Sequence, residues 1–254
     1  MRKNIKERAK QGLLSFGINV ALEDPVIIEM AARAGYDFVR IDCEHMLFSD
    51  DVLKNMIRTA RLLNMPVQVR VADLGKATAL LDLGVSGLML PHVSSAEIAK
   101  KAVDTIKYAP LGHRGMTGAS RALNFGEHTM SEYSKWANDD VSIIVQIEDQ
   151  SGLDHIDEIL SVPGIDMVAT GRNDLSQALG IPGQNTHPEV LNAEDMVIRK
   201  AIEHGKIPTL LVKNKARLEE LKEKGVYCFT LGRDESLLLE NMNRVLNQLK
   251  KEDE

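Results

Sequence analysis

Short apolar runs rich in β-branched residues recur along the chain, and between them apolar residues fall at helical spacing. The clearest stretch is Ile144 to Ser176. Val141 to Ile147 reads as a parallel strand buried on both faces. Leu153, Ile156, Ile159 and Leu160 then recur at helical spacing until Pro163-Gly164 stops them. Ile165 to Thr170 is a second buried strand. Glu148 follows the first strand and Asp174 follows the second.

The same alternation runs through the rest of the chain. Strands are predicted at Leu13 to Val20, Asp37 to Asp42, Pro66 to Val71 and Gly87 to Pro91, then at Pro208 to Val212 and Val226 to Leu231. Helices fall between them: one opened by Asp24-Pro25, one from Ser49 to Leu63, one carrying Leu80, Leu81 and Asp82 up to Gly84, and one ending at Lys107. Ser94-Ser95-Ala96-Glu97 reads as a capping box for that last helix. Further helices are expected from Val190 to His204, up to Lys224, and from Glu235 to about Leu249. Tyr108 to Asp140 breaks the cadence and reads as a long rim loop with a short helix near Glu132 to Ala137; loops this long in a compact domain usually carry function. Eight strands alternating with helices predict an α/β fold of the (β/α)8 TIM type, with residues 1–254 as a single domain. A doubly wound open sheet would call for a phosphate loop of the GxGxxG kind, and there is none.

The 254 residues are 44% hydrophobic, enough for a sizeable core, and no Pro/Gly/Ser-rich linker divides them. A net charge of −6 without a basic, aromatic-studded stripe argues against nucleic acid and for a small metabolite. Cys43 and Cys228 do not form a disulfide framework, which fits a reducing cytoplasm. The basic opening MRKNIKERAK precedes too short an apolar run for a signal peptide or a membrane span.

In such a barrel the residues that end strands face the chemistry. These are Asp42, Glu44 and His45 after the second strand, Arg70 after the third, and Glu148 and Asp174. A right-handed crossover sets Glu148 and Asp174 side by side on one rim. Each acid could simply cap the helix that follows it. Together, two converging carboxylates favour a hard divalent cation, Mg²⁺ or Mn²⁺, with coordination positions left open. His45 suits proton transfer near neutrality. Arg70 would neutralise a carboxylate or an oxyanion, or else pair structurally with Asp42 or Glu44. The other histidines, His92 among them, lack metal-ligand spacing and are left outside the site.

Several motifs carry a family likeness: IDCEH against D-G-E-H, PVQVRV against a VVR strand, LLDLGVSGLMLPHV against an LLD-G-A strand entry, GHRG against G-x-R-G, VQIE against VQ-E and GRNDLS against G-P-A-D-L-S. On these, over nearly its whole length, the chain resembles the class II pyruvate-dependent aldolases of the 4-hydroxy-2-oxoheptanedioate aldolase type. These are relatives of citrate lyase β subunits in the phosphoenolpyruvate/pyruvate barrel superfamily. The resemblance implies that Glu148 and Asp174 bind the metal, with Co²⁺ as a further candidate, and that Arg70 contacts pyruvate and its enolate. It implies that His45, paired with Asp82, handles the proton through a metal-bound water. Gln146 aligns near the pyruvate carbonyl, and the backbone around Asn173 and Asp174 would receive the carboxylate. Leu211 and the Gly112 to Asn124 segment would shape the pocket. The last helix, with Leu238, Met242, Val245, Leu246 and Leu249 on one face, either packs on its own barrel or, as the resemblance suggests, swaps onto a neighbour in a homo-oligomer, a hexamer.

The departures are Cys43 for glycine, and Arg172-Asn173 for Pro-Ala. Arg172 adds a grip for a second acidic group, points to solvent, or alters the metal loop enough to change the reaction. The expected reaction is metal-dependent cleavage of a 4-hydroxy-2-oxo acid to pyruvate and an aldehyde. Alternatives are a 2-oxo acid decarboxylase or citramalyl-type lyase using the same enolate, a Schiff-base aldolase on Lys213, and a non-catalytic barrel.

Overall fold

The computed structural model describes residues 4–250. All eight expected strands are present: β1 (Ser15–Val20), β2 (Phe38–Asp42), β3 (Val67–Arg70), β4 (Gly87–Leu90), β5 (Ser142–Ile147), β6 (Met167–Thr170), β7 (Ile207–Leu211) and β8 (Cys228–Arg233). Each pairs in parallel with the next, and β8 returns to β1 to close the barrel.

Helix α1 (Ile5–Lys10) precedes the barrel. Around it run α2 (Val26–Ala34), α3 (Asp50–Leu62), α4 (Ala77–Leu83), α5 (Ala96–Ile106) and α6 (Met130–Asp140). The second half adds α7 (Gln150–Asp154), α8 (Ile156–Leu160), α9 (Arg172–Ala178), α10 (Pro188–Glu203), α11 (Lys215–Glu223) and α12 (Asp234–Lys250). The main core is the layer between strands and helices, filled by residues such as Val39, Ile41, Val69, Leu88, Ile143 and Val145. Alternate residues of the same strands face inward, as a period of two requires. Phe38, Met89, Ile144 and Met167 pack inside the barrel, and Ile5 of α1 joins them at the N-terminal mouth. Above them Arg40 donates to Gln68 Oε1 at 2.8 and 3.0 Å and to Thr209 Oγ1 at 3.1 Å, so the interior is solid rather than a pore.

Four expectations change. Ser95, not Ser94, caps α5, its hydroxyl accepting the Ile98 amide, so Glu97 stands one position too early to close a capping box. The capping box in this region belongs to Thr129 and Glu132 at α6. The predicted helix after β5 is two short ones, opened by the Asp149 carboxylate accepting the Gly152 amide at 2.7 Å. Segment 108–129 connects the end of α5 to α6 and then to the start of β5, which places it at the barrel end opposite Glu148. Chain direction decides this: a helix after a strand returns toward the N-terminal ends. Gly112 to Asn124 therefore does not wall the mouth of its own barrel.

The last helix is fixed only at its start. Asp234 is buried, its carboxylate accepting the amides of Ala21 at 2.9 Å, Leu22 at 3.1 Å and Glu235 at 2.8 Å. Beyond that turn Leu239, Met242 and Leu249 are 60, 57 and 63% exposed, so the apolar face does not pack on its own barrel.

Candidate active site

Inward-facing positions at the strand ends assemble a continuous charged ladder. Asp42 and Arg70 are partners across β2 and β3. Arg70 donates to both Asp42 oxygens, Nε to Oδ1 at 3.0 Å and Nη2 to Oδ2 at 2.6 Å, while its Nη1 lies 2.9 Å from Glu44 Oε2. The other Glu44 oxygen lies 3.2 Å from His92 Nε2, and His92 Nδ1 lies 3.2 Å from Glu148 Oε1. The His92 backbone amide donates to the same Glu148 oxygen at 2.8 Å. That contact depends on a left-handed backbone at His92, φ 52°, which turns the chain back over the rim just after β4.

Glu148 follows Gln146 by two residues, so both face inward, and the Gln146 side-chain amide donates to Glu148 Oε2. Burial, the largest influence, pushes the Glu148 carboxyl up to about 7; the His92 contacts oppose this, and the charges of Asp174 and Glu44 add to it. Burial also acts to raise Asp42, but the hydrogen bonds and charge of Arg70, with the amides of His45 and Glu44, outweigh it and hold Asp42 below its ordinary value. Arg70 is raised in turn: Asp42, Glu44 and Glu148 overcome the effect of its burial.

Asp174 lies in the first turn of α9, and Gly171 caps that helix. A Cβ on Gly171 would collide with Glu148 Oε2 and stand 2.8 Å from Gln146 Nε2 and 3.1 Å from Asp174 Oδ2. The Glu148 and Asp174 carboxylates therefore converge over a glycine whose missing side chain leaves room for them. This is a fitting place for a divalent cation: two acids meet, and Gln146 Oε1 is buried without a hydrogen-bond partner. Glu44, His92 and Glu148 each offer a ligand atom within 4.8 Å of the others, so Glu148 stands between two sets of donors.

Sequence reading missed His92, because spacing along the chain does not reveal a backbone reversal; its place just after a strand end was the available signal. His45 is half exposed, 3.6 Å from Glu44 Oε2, with its backbone amide 3.4 Å from Asp42 Oδ1. Within the one chain Asp82 does not join it. Asp82 sits in the last turn of α4, away from the rim, and its Oδ1 accepts from Arg114 Nη2 at 2.6 Å. Arg172 neither points to solvent nor stands free to grip a second acidic group: its Nε lies 3.5 Å from Glu194 Oε2, and the buried Glu194 also takes Arg217 at 2.5 Å and the Thr170 hydroxyl at 3.1 Å. Asn173 accepts from the Asn185 side chain at 2.8 Å. Leu211 ends β7, 37% exposed. Lys213 is exposed, without the desolvation that a Schiff-base lysine requires. The buried Lys107 is spent on the carbonyls of Asn138 and Val141 at the far end of the barrel.

A closed parallel barrel with its titratable side chains gathered on the C-terminal rim defines a TIM-barrel enzyme. The chain belongs to the HpcH/HpaI aldolase/citrate lyase family, whose profile matches residues 15–241. It is 33% identical over 241 residues to a 4-hydroxy-2-oxo-heptane-1,7-dioate aldolase of Shigella boydii, covering 94% of this chain and 91% of the relative. The crystal structure of an HpcH/HpaI aldolase from Desulfitobacterium hafniense superposes with a TM-score of 0.91 at 31% identity, over 97% of this chain and 96% of that one. That of a citrate synthase gives the same TM-score and identity over 99% of both chains. The protein is a lyase of the aldolase type.

Proposed function

We propose that residues 1–254 form one domain of a divalent-metal-dependent aldolase that cleaves a 4-hydroxy-2-oxo acid to pyruvate and an aldehyde. The observation that carries this reading is the convergence of Glu148 and Asp174 over Gly171, with the Arg70 guanidinium held nearby on the same rim. Glu148 and Asp174 would hold the cation, Mg²⁺ or Mn²⁺, with Co²⁺ a further candidate. Such an ion supplies Lewis-acid neutralisation of charge on the carboxylate and keto oxygens of a 2-oxo acid. Arg70, fixed by Asp42 and Glu44, faces the negative charge that develops on the enolate oxygen, a preorganised interaction commonly worth about 3 kcal/mol. Gln146 supports the keto end, the backbone at Asn173 and Asp174 supports the carboxylate, and Leu211 borders the pocket. His45 is the base that takes the C4 hydroxyl proton as the C3–C4 bond breaks. Its backbone is set by Asp42 rather than by Asp82.

A second reading, addition of a two-carbon acyl enolate to an oxo acid at the same site, is favoured by the likeness to the citrate synthase. Release of pyruvate from racemic 4-hydroxy-2-oxo acids of four to seven carbons, followed with lactate dehydrogenase, separates the two. Cleavage abolished by EDTA and restored by Mg²⁺ or Mn²⁺ is expected. Product formation in the condensing direction without any cleavage would favour the second reading.

The exposed face of α12 supports docking on another copy of the chain, in a homo-oligomer that we take to be a hexamer. No helix of the described residues is long and apolar enough to cross a membrane. With Cys43 and Cys228 both free, we place the enzyme in the cytoplasm.

A further inference from the structure

We propose that His92 is a third protein ligand of the cation held by Glu148 and Asp174, binding through Nδ1, with Glu44 as the carboxylate that orients its ring. This rests on the metal-dependent aldolase reading and adds a nitrogen donor to the site, and with it a preference among metals.

The backbone that carries His92 is clamped on both sides. β4 ends at Leu90, opposite Val145 of β5, and Pro91 has no amide to pair. The His92 amide then donates to Glu148 Oε1 at 2.8 Å, and the Val93 amide to the Gln146 carbonyl at 3.1 Å. The left-handed torsion at His92 lies between these two bonds, so the ring stands on a fixed turn.

Each ring nitrogen meets one carboxylate. Nε2 lies 3.2 Å from Glu44 Oε1, and Nδ1 lies 3.2 Å from Glu148 Oε1. Glu44 is itself held, its other oxygen 2.9 Å from Arg70 Nη1, so it is placed to accept the Nε2 proton. That tautomer leaves the Nδ1 lone pair facing Glu148. Histidines that bind metals commonly show this arrangement, with one nitrogen on the ion and the other N–H on a carboxylate. Two lone-pair donors about 3 Å apart are also spaced as neighbouring ligands of one ion with bonds of about 2.1 Å. Asp174 converges on Glu148 on the Oε2 side, over Gly171, whereas His92 stands on the Oε1 side. A cation on Glu148 therefore has a carboxylate on one flank and an imidazole on the other. Beside them Gln146, 4% exposed, keeps its Oε1 without a hydrogen-bond partner. Carboxylates and water alone suit Mg²⁺, and an added imidazole shifts the preference toward Co²⁺ and Zn²⁺.

The test uses Mn²⁺ as a paramagnetic probe on the parent protein, read by electron spin echo modulation. Bound Mn²⁺ should show the coupling of a directly ligated ¹⁴N. Labelling with ¹⁵N-histidine should convert that coupling to the ¹⁵N pattern, which separates His92 from the Gln146 amide. His92→Asn, whose side chain tolerates the left-handed backbone, should still bind Mn²⁺ and lose the coupling, whereas His45→Gln should keep it. By calorimetry, the ratio of Co²⁺ to Mg²⁺ affinity should fall by about tenfold or more in His92→Asn, and Co²⁺ affinity should fall about tenfold in Glu44→Gln. Bound Mn²⁺ without nitrogen coupling in the parent, coupling that survives in His92→Asn, or an unchanged affinity ratio would overturn the assignment and leave the Glu148 and Asp174 site standing. Failure of the parent to bind Mn²⁺ at all would reject the metal-dependent reading and the assignment with it.

Discussion

Arg70 and Asp42 face each other across neighbouring strands and close a fork of two hydrogen bonds, 3.0 and 2.6 Å, on the inner face of the rim. The fork fixes the arginine's plane, leaving Nη1 to Glu44 and the adjoining face to substrate. Lysine keeps the charge but cannot form the fork. Arg70→Lys should lower kcat/KM for aldol cleavage about 100-fold while the protein stays folded, as steady-state kinetics and circular dichroism would show.

Glu148 gives a stability prediction with a definite sign. Its carboxyl is raised on folding from 4.5 to about 7, so the folded state holds the proton more tightly. Stability without metal is then lost as the pH rises from about 4.5 to about 7, where a buried carboxylate must ionise. Glu148→Gln removes that cost. In EDTA the variant should exceed the parent by about 2 kcal/mol at pH 8 and match it near pH 4.5, by urea unfolding. Added Mn²⁺ should stabilise the parent and leave the variant nearly unchanged.

Glu194 holds the turn that carries Asp174 from behind. Its buried carboxylate sits between Arg172 and Arg217, and the Thr170 hydroxyl donates to it at 3.1 Å. Glu194→Ala should cost about 3 kcal/mol because it leaves two arginines facing each other, and it should weaken Mn²⁺ binding measured by calorimetry. Glu194→Gln, which keeps the Thr170 bond, should be intermediate in both.

Asp82 and Arg114 form a pair remote from the rim. The Arg114 side chain is fully buried, with its guanidinium 4.6 Å from the Tyr108 ring centroid. Asp82→Ala strands that cation and should destabilise the chain by about 3 kcal/mol. Pyruvate proton exchange per folded molecule should be unchanged; a loss of exchange at full folding would restore Asp82 to the proton-transfer machinery.

Much of this was legible in the sequence because strand runs and helical spacing are local signals. They placed eight strands and put Asp42, Arg70 and Glu148 at strand ends, whereas Gln146 came only from the family likeness. What was not legible depends on contacts distant in sequence or on single backbone torsions. His92 reaches Glu148 only through a positive φ, and Arg172 is captured by a glutamate on another helix. The 108–129 segment was misplaced for a different reason: its length suggested function, although its position after a returning helix already assigned it to the far end.

The central claim is that the Glu148 and Asp174 carboxylates make a metal site for pyruvate enolisation. The most direct measurement is exchange of the pyruvate methyl protons in D₂O by NMR, with Mg²⁺ or Mn²⁺ and then with EDTA, for the parent and for Asp174→Ala. Exchange by the parent that requires the metal, and its loss in the variant, is the predicted result. Exchange that persists in EDTA or in Asp174→Ala would contradict it.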